Sequence, residues 1–344
     1  MVERDTGRRF DRRANPDGGW RDLGSLPQNF NSPAQEMARS DTPVELDSPP
    51  PMLNLSRFDL GRIRALRRFK AVDERISAEL PQASKVVCIA SGKGGVGKSM
   101  LASNLAILRA KQGEKVCLID FDAGLANAHL LLGLSPRYDI GDLISGRVTT
   151  KEAIVEGPEG ISLLSGGVGR SALANPTRRE LDKLYKRLRE LEETYDLIVI
   201  DHGAGLGYST VTHLAATSTL ILVTNPEVTA LSDAYALYKQ AHTVNESITV
   251  GMVVNRARDE ESATQARERF ESVATRFLGH VPEYIGWVPQ DDEVYWSVQQ
   301  RRPVCLGAPR SKAALALNSI AAWPAIDKAR TPRPFYERAR KALR

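Results

Sequence analysis

Cysteine is scarce: Cys88, Cys117 and Cys305 are the three in 344 residues, and they form neither a C-x-x-C pair nor a zinc-ligand spacing. A disulfide scaffold and a thiolate zinc site are therefore excluded. Cys88 and Cys117 lie inside apolar runs, so they read as buried, inert thiols suited to a reducing cytoplasm. No run of eighteen apolar residues exists, which excludes a membrane-spanning helix. The opening "MVERDTGRRFDRRANPDGG" lacks the apolar stretch of a secretory signal. Charge of one sign is also lacking. The net charge is +5, too little for its size to argue for nucleic acid.

What is present divides the chain into four stretches. Residues 1–53 are rich in Arg, Asp, Pro, Gly and Asn, end in "DSPPPML", and read as a disordered arm. Residues 54–84 carry apolar positions at roughly helical spacing beside Arg57, Arg62, Arg64, Arg67, Arg68 and Lys70, which predicts a basic amphipathic helix or linker. Its plain role is packing on the main domain, and its sharper one is docking to a partner or an anionic surface. From residue 85 to 322, apolar β-branched runs ("KVVCIAS", "EKVCLIDFD", "GISLLSG", "YDLIVIDHG", "STLILVTNP", "ITVGMVVNR", "EYIGWVP") alternate with helical stretches. That alternation predicts a mainly parallel sheet with helices on both faces. Residues 323–344 form a basic tail in which Phe335, Tyr336 and Leu343 offer a weak apolar face to a membrane surface.

The chemistry concentrates in "SGKGGVGKSM", between the first apolar run and a helical stretch. Gly92-x4-Gly97-Lys98-Ser99 in that setting is a phosphate-binding loop. Backbone N–H groups of Gly94, Gly95, Val96, Gly97 and Lys98 can wrap a phosphate, and the following helix N-terminus adds positive dipole. Lys98 is placed to span the β- and γ-phosphates of ATP, and the Ser99 hydroxyl to hold Mg²⁺. Two further blocks end strands on carboxylates, Asp120 and Asp122 in "LIDFDAGLANAHLLLG" and Asp201 in "YDLIVIDHGAGLG". Carboxylates at strand ends beside a phosphate loop point to chemistry.

The string "KGGVGKS" resembles the deviant Walker A motif of the MinD/ParA family of P-loop ATPases. The resemblance implies a three-layer α/β/α P-loop NTPase fold with a mostly parallel sheet, Mg²⁺-dependent ATP hydrolysis and ATP-dependent homodimerisation. It makes Lys93 a cation that acts across the dimer on the other subunit's phosphates, as an arginine finger does. It makes Asp122 the group orienting the attacking water, Asp120 a Mg²⁺-water ligand or switch residue, and Asp201 a Mg²⁺-water ligand. It places Gly92 to Met100 on the nucleotide, and Asn255 of "VVNRA" with Pro289, Gln290 and Asp291 of "VPQDDEV" on the adenine. It also sets Glu227 on the ribose across the dimer. Asn255 read without the resemblance is a turn residue after a strand.

Within the family, "GLANAHLLLGL", "IDHGAGLG" and the "Q-x-RP" block of "VPQDDEVYWSVQQRRPVCLGAPRSKAALALNSIA" resemble the flagellar-number regulators of the FlhG type, also called FleN or YlxH. That branch implies a switch governing flagellar number or placement, a signal-recognition-type GTPase or other flagellar partner, and a cytoplasmic protein that visits the inner membrane face. Its glutamine- and leucine-rich N-terminal motif and apolar C-terminal helix are not evident here. Alternatives are a MinD-type division-site ATPase and a ParA-type DNA-partition ATPase, the latter requiring a contiguous basic surface. An iron–sulfur electron carrier of the nitrogenase iron-protein type fails because no cysteine is placed for a cluster at a dimer axis. A dethiobiotin-synthetase-like ligase does not account for the FlhG-like blocks.

Overall fold

The computed structural model describes residues 84–122, 126–167 and 176–344. The expected arm over 1–53 and all but the last residue of the basic stretch 54–84 lie outside them. All seven apolar runs are strands: β1 (Lys85–Ala90), β2 (Val116–Phe121), β4 (Ser162–Leu164), β5 (Leu197–His202), β6 (Thr219–Thr224), β7 (Thr249–Ala257) and β8 (Glu283–Pro289), with β3 (Ile154–Glu156) added at one edge. Their order across the sheet is β3-β4-β2-β5-β1-β6-β7-β8. Every pairing is parallel except β3 against β4. Every residue of β1, β2, β5 and β6 is buried, as strands covered on both faces must be. β3 has three partly exposed or exposed residues and no strong apolar pattern, which hides it from a periodicity reading.

Helices cover both faces. One face carries α1 (Lys98–Lys111), and the other α2 (Arg178–Leu188), α3 (Tyr208–Ala216), α4 (Val228–Val244) and α5 (Glu260–Leu278). After β8 come α6 (Asp292–Gln299) and α7 (Lys312–Ala321), the latter packed with α1. Alternate strand residues feed the two cores: Val87 and Ile89 face α1, while Val86, Cys88 and Ala90 face α3 and α4. Burial pushes the Cys88 thiol up to about 12 and raises that of Cys117, so both are inert.

The last stretch differs from the expectation of a basic tail with a membrane-facing edge. Residues 335–342 form α8 (Phe335–Ala342), and Phe335, Tyr336 and Leu343 are buried in the core. Phe335 packs 5.3 Å from His213 and Tyr336 packs 5.7 Å from Tyr185, ring centre to ring centre. Packed in the core against Tyr185 and His213, the aromatic side chains leave water and present no apolar face at the surface. Arg340 pairs with Asp182 at 2.9 Å, so part of the basic face is also committed inward. Among the described residues no helix is long and apolar enough to cross a membrane.

Glu192 fixes the start of α8. Its carboxylate accepts hydrogen bonds from the backbone N–H groups of Phe335 and Tyr336, at 2.6 and 2.8 Å. An acceptor charge at a helix N-terminus is favourable, but burial dominates and pushes the carboxyl up to about 7. The native state therefore keeps a proton that the unfolded chain releases near 4.5, and stability falls as pH rises from about 4.5 through 7. Glu192→Gln removes that titration. Urea unfolding should show wild type losing on the order of 2–3 kcal/mol relative to the variant across this window. A pH-independent difference would remove Glu192 from the role.

Candidate functional site

The glycine-rich loop leaves the C-terminal end of β1, at the crevice where open α/β sheets bind ligands. Val96 and Met100 are buried and anchor it to the α1-side core, while Gly94 and Gly95 face solvent. Lys98 is 6% exposed and begins α1, with Ser99 and Met100 in its first turn. Gly97 precedes the helix at φ 96° and supplies no side-chain cap, so the first-turn N–H groups are left for an anion. A Cβ on Gly92 would collide with the Asp233 backbone, which shows how tightly the loop presses on α4. On the other side the Asn255 amide donates to Val96 O at 2.7 Å and Arg256 Nη1 donates to Gly95 O at 3.3 Å. The Gly205 N–H closes the base of the loop onto Ser91 O at 3.0 Å.

Asp120 and Asp201 are direct neighbours in the β2–β5 register, and both are 0% exposed. Burial raises both carboxyls, and for Asp120 the charge of Asp201 raises it further. Their surroundings differ. Asp120 accepts from Asp122 N at 3.0 Å and Ala128 N at 3.1 Å, so one carboxylate holds both of these backbone positions. Neither oxygen of Asp201 has a hydrogen-bond partner of ordinary geometry, although Ser99 and the Lys98 charge lie near enough to pull its pKa down. Asp122 lies against Gly203, which has no side chain to obstruct it. His202, next to Asp201, is wholly buried and held neutral, its pKa depressed to about 3 by burial and then by Lys98.

Lys93 is engaged at the start of α4. Its Nζ is 2.5 Å from Glu227 Oε2 and donates to Thr229 Oγ1 at 2.9 Å, at the start of α4. The contact depresses Glu227's pKa, first through that hydrogen bond and then through the Lys93 charge. Asn255 is 1% exposed and spends one amide hydrogen on the loop. The 289–291 segment lies beside it: Pro289 pairs in register with Ala257, and Gln290 N donates to Ala257 O at 2.8 Å. Asp291 caps α6 through Glu293 N at 2.9 Å and holds α7 through Ala313 N at 3.0 Å, so its side chain is structural.

Two residues at the site escaped the sequence reading, Arg256 and Thr229. Arg256 has φ 57° at an irregularity between Asn255 and Ala257, which turns its side chain back to the loop. Its signal was its place beside Asn255 in "VVNRA". Thr229, two residues past Glu227, carried no motif.

The donor set suits Mg²⁺, which keeps several waters and takes one or two carboxylates plus phosphates. Asp201 carries buried carboxylate oxygens without partners next to the Ser99 hydroxyl. Among the described residues no three His, Cys, Asp or Glu side chains form a ready metal cage.

Gly97 gives the sharpest test of the loop geometry. A Cβ there would overlap the Asn255 amide, and its φ lies in the left-handed region that costs other residues about 1–2 kcal/mol. Gly97→Ala should weaken nucleotide binding at least roughly tenfold, about 1.4 kcal/mol, in an equilibrium titration. Adding Asn255→Ala should not restore it, because the backbone strain remains. Wild-type affinity in the single variant would refute this loop conformation.

Comparison with known proteins agrees with this geometry. The CobQ/CobB/MinD/ParA nucleotide binding domain matches residues 87–304. The antiactivator FleN of Pseudomonas aeruginosa is 32% identical over 244 residues, covering 70% of this chain and 87% of that protein. The flagellum site-determining protein YlxH of Helicobacter pylori is 29% identical over 239 residues, 69% of this chain and 81% of that protein. Among solved structures, the septum site-determining protein MinD of Pyrococcus horikoshii, complexed with Mg-ADP, superposes with a TM-score of 0.58 at 27% identity, over 72% of this chain and 99% of that one. A loop of this build at the end of β1, carboxylates on β2 and β5, and likeness over most of each relative's length place the chain in the MinD/ParA group of the CobQ/CobB/MinD/ParA nucleotide-binding family.

Proposed function

We propose that the protein is a Mg²⁺-dependent ATPase that switches between a monomer and an ATP-bound homodimer and so regulates the number or placement of flagella. The observation that carries the switch is the position of Lys93. A loop lysine that served its own subunit would lie with Lys98. Lys93 is instead held by Glu227 and Thr229 at the start of α4. The flagellar assignment rests on the likeness to FleN and YlxH. In the organism encoding it, deletion should change flagellar number or position. Normal flagella with misplaced septa would support a MinD-type role instead.

In this reading the loop amides and Lys98 bind the triphosphate, and Ser99 with Asp201 would hold Mg²⁺, which neutralises charge on the phosphates. Asp122 orients water from beside Gly203. Asp120 holds the backbone at Asp122 and at Ala128 through its two bonds. Asn255 and the backbone of Pro289 and Gln290 border the adenine, and Glu227 meets the partner's ribose once Lys93 leaves it. A signal-recognition-type GTPase or another flagellar protein is the expected partner. Phe335, Tyr336 and Leu343 are buried, so contact with the membrane's inner face has to use other residues.

Two results should follow. Lys93→Ala should still bind ATP, since Lys98 and the loop amides remain. It should lose ATP-dependent dimerisation in sedimentation and most phosphate release, a cation of this kind contributing on the order of 10³–10⁵ in rate. Wild-type dimerisation and turnover would reduce Lys93 to a surface residue. Asp201→Asn should abolish turnover while stabilising the nucleotide-free protein. Asp201's raised folded pKa makes the native state favour the proton, so wild type loses stability as pH rises past the ordinary carboxylate range. The variant's advantage, on the order of 1–2 kcal/mol, should therefore be present at pH 8 and shrink toward pH 4 in chemical denaturation. A destabilised variant at pH 8 would contradict the electrostatic account.

A further inference from the structure

At the edge of the sheet opposite the nucleotide site, the ends of α4 and α5 and the first residues of β7 and β8 enclose a cleft of about 670 Å³. One wall is aromatic. The His242 and His280 rings lie 4.1 Å apart, Tyr238 packs edge-on against both, and the Tyr238 hydroxyl and His280 Nδ1 hydrogen-bond at 2.8 Å. Glu246 and Glu283 line the cleft and are exposed. Both long helices end here, at Val244 and Leu278, so the negative ends of two helix dipoles add to the two carboxylates. Among the described lining residues Lys239 alone brings a permanent cation. Val281 lines the cleft at 43% exposure, and Phe277, next to Leu278, is 42% exposed.

We propose that this cleft is a docking site for arginine side chains of the chain's own basic segment, residues 57–70. The ligand chemistry follows from the lining. A planar guanidinium stacks on aromatic and imidazole faces and pairs with carboxylates, whereas a compact, strongly hydrated ammonium makes less use of such a wall. The segment is complementary in charge, with Arg57, Arg62, Arg64, Arg67, Arg68 and Lys70 against the one carboxylate of Asp59. Position supports the same occupant. The described chain starts at Ser84, at the foot of β1, and the cleft opens at the foot of β7. β1, β6 and β7 are parallel neighbours, so those feet are two strand spacings apart, roughly 10 Å. The residues between Lys70 and Ser84 can span roughly 40 Å when extended, so the arginines reach easily. The inference does not depend on the nucleotide reading, since none of the lining residues belongs to that site.

Limited trypsin digestion of the full-length protein tests it, because trypsin cuts after the arginines concerned and mass spectrometry reads each cut. In low salt, Glu246→Gln/Glu283→Gln should expose the segment and speed cleavage between Arg57 and Lys70 roughly three- to tenfold, as expected for losing two partly exposed ion pairs. The difference should fall away in about 1 M salt, where screening acts over about 3 Å. His280→Ala, which removes stacking and leaves the carboxylates, should also speed cleavage at both salt concentrations. An unchanged unfolding midpoint confirms that each variant is folded. Protection in wild type should be independent of protein concentration. Equal cleavage rates in wild type and all variants would overturn the proposal. Protection that grows with protein concentration would overturn it too, and would assign the cleft to a second copy's basic segment.

Discussion

Asp120 and Asp201 are neighbours across the β2–β5 register, both fully buried, and much of the site is arranged around that pairing. Removing a carboxylate from water costs several kcal/mol unless charge or hydrogen bonds replace the lost hydration. Asp120 receives two backbone N–H groups, those of Asp122 and Ala128. Asp201 receives no hydrogen bond of ordinary geometry, and the neighbouring Ser99 hydroxyl, followed by the Lys98 charge, offsets only part of its burial. Two strand ends that look alike in sequence thus acquire different roles from their surroundings. One is satisfied by the protein, and the other is left for a ligand.

The same accounting explains the loop. Lys98 is buried because its charge is needed beside Asp201 and, in the proposed function, at the phosphates. Lys93 has no such constraint and rests at the surface on Glu227, where the pair is partly solvated and can be exchanged at little cost. A switch requires this difference, since its fixed groups must not move and its mobile group must not be held too firmly.

The sheet was legible from the sequence because strands buried on both faces are apolar at every position, as in "KVVCIA" and "LIVIDH". The loop was legible because few sequences other than a phosphate cradle place Gly92, Gly97, Lys98 and Ser99 between a strand and a helix. Other features depended on contacts between distant residues. The Lys93–Glu227 pair spans 134 positions, and no local pattern encodes it. Asn255 was read as an adenine contact, yet its amide also clamps Val96, a partner 159 residues away. The tail misled for a similar reason. Phe335, Tyr336 and Leu343 among basic residues look like a surface helix until α2, α3 and Glu192 are seen to receive them.

That last helix also connects the far side of the molecule to the chemistry. Phe335 touches His213, His213 lies 5.0 Å from His202, and His202 directly follows Asp201. Among the described residues no hydrogen-bond partner reaches the ring nitrogens of His202 or His213, and burial holds both imidazoles neutral. Close-packed rings of this kind transmit displacement because there is little void to absorb it. The same packing that removes Phe335 and Tyr336 from a membrane surface makes the C-terminal helix part of the wall behind the site.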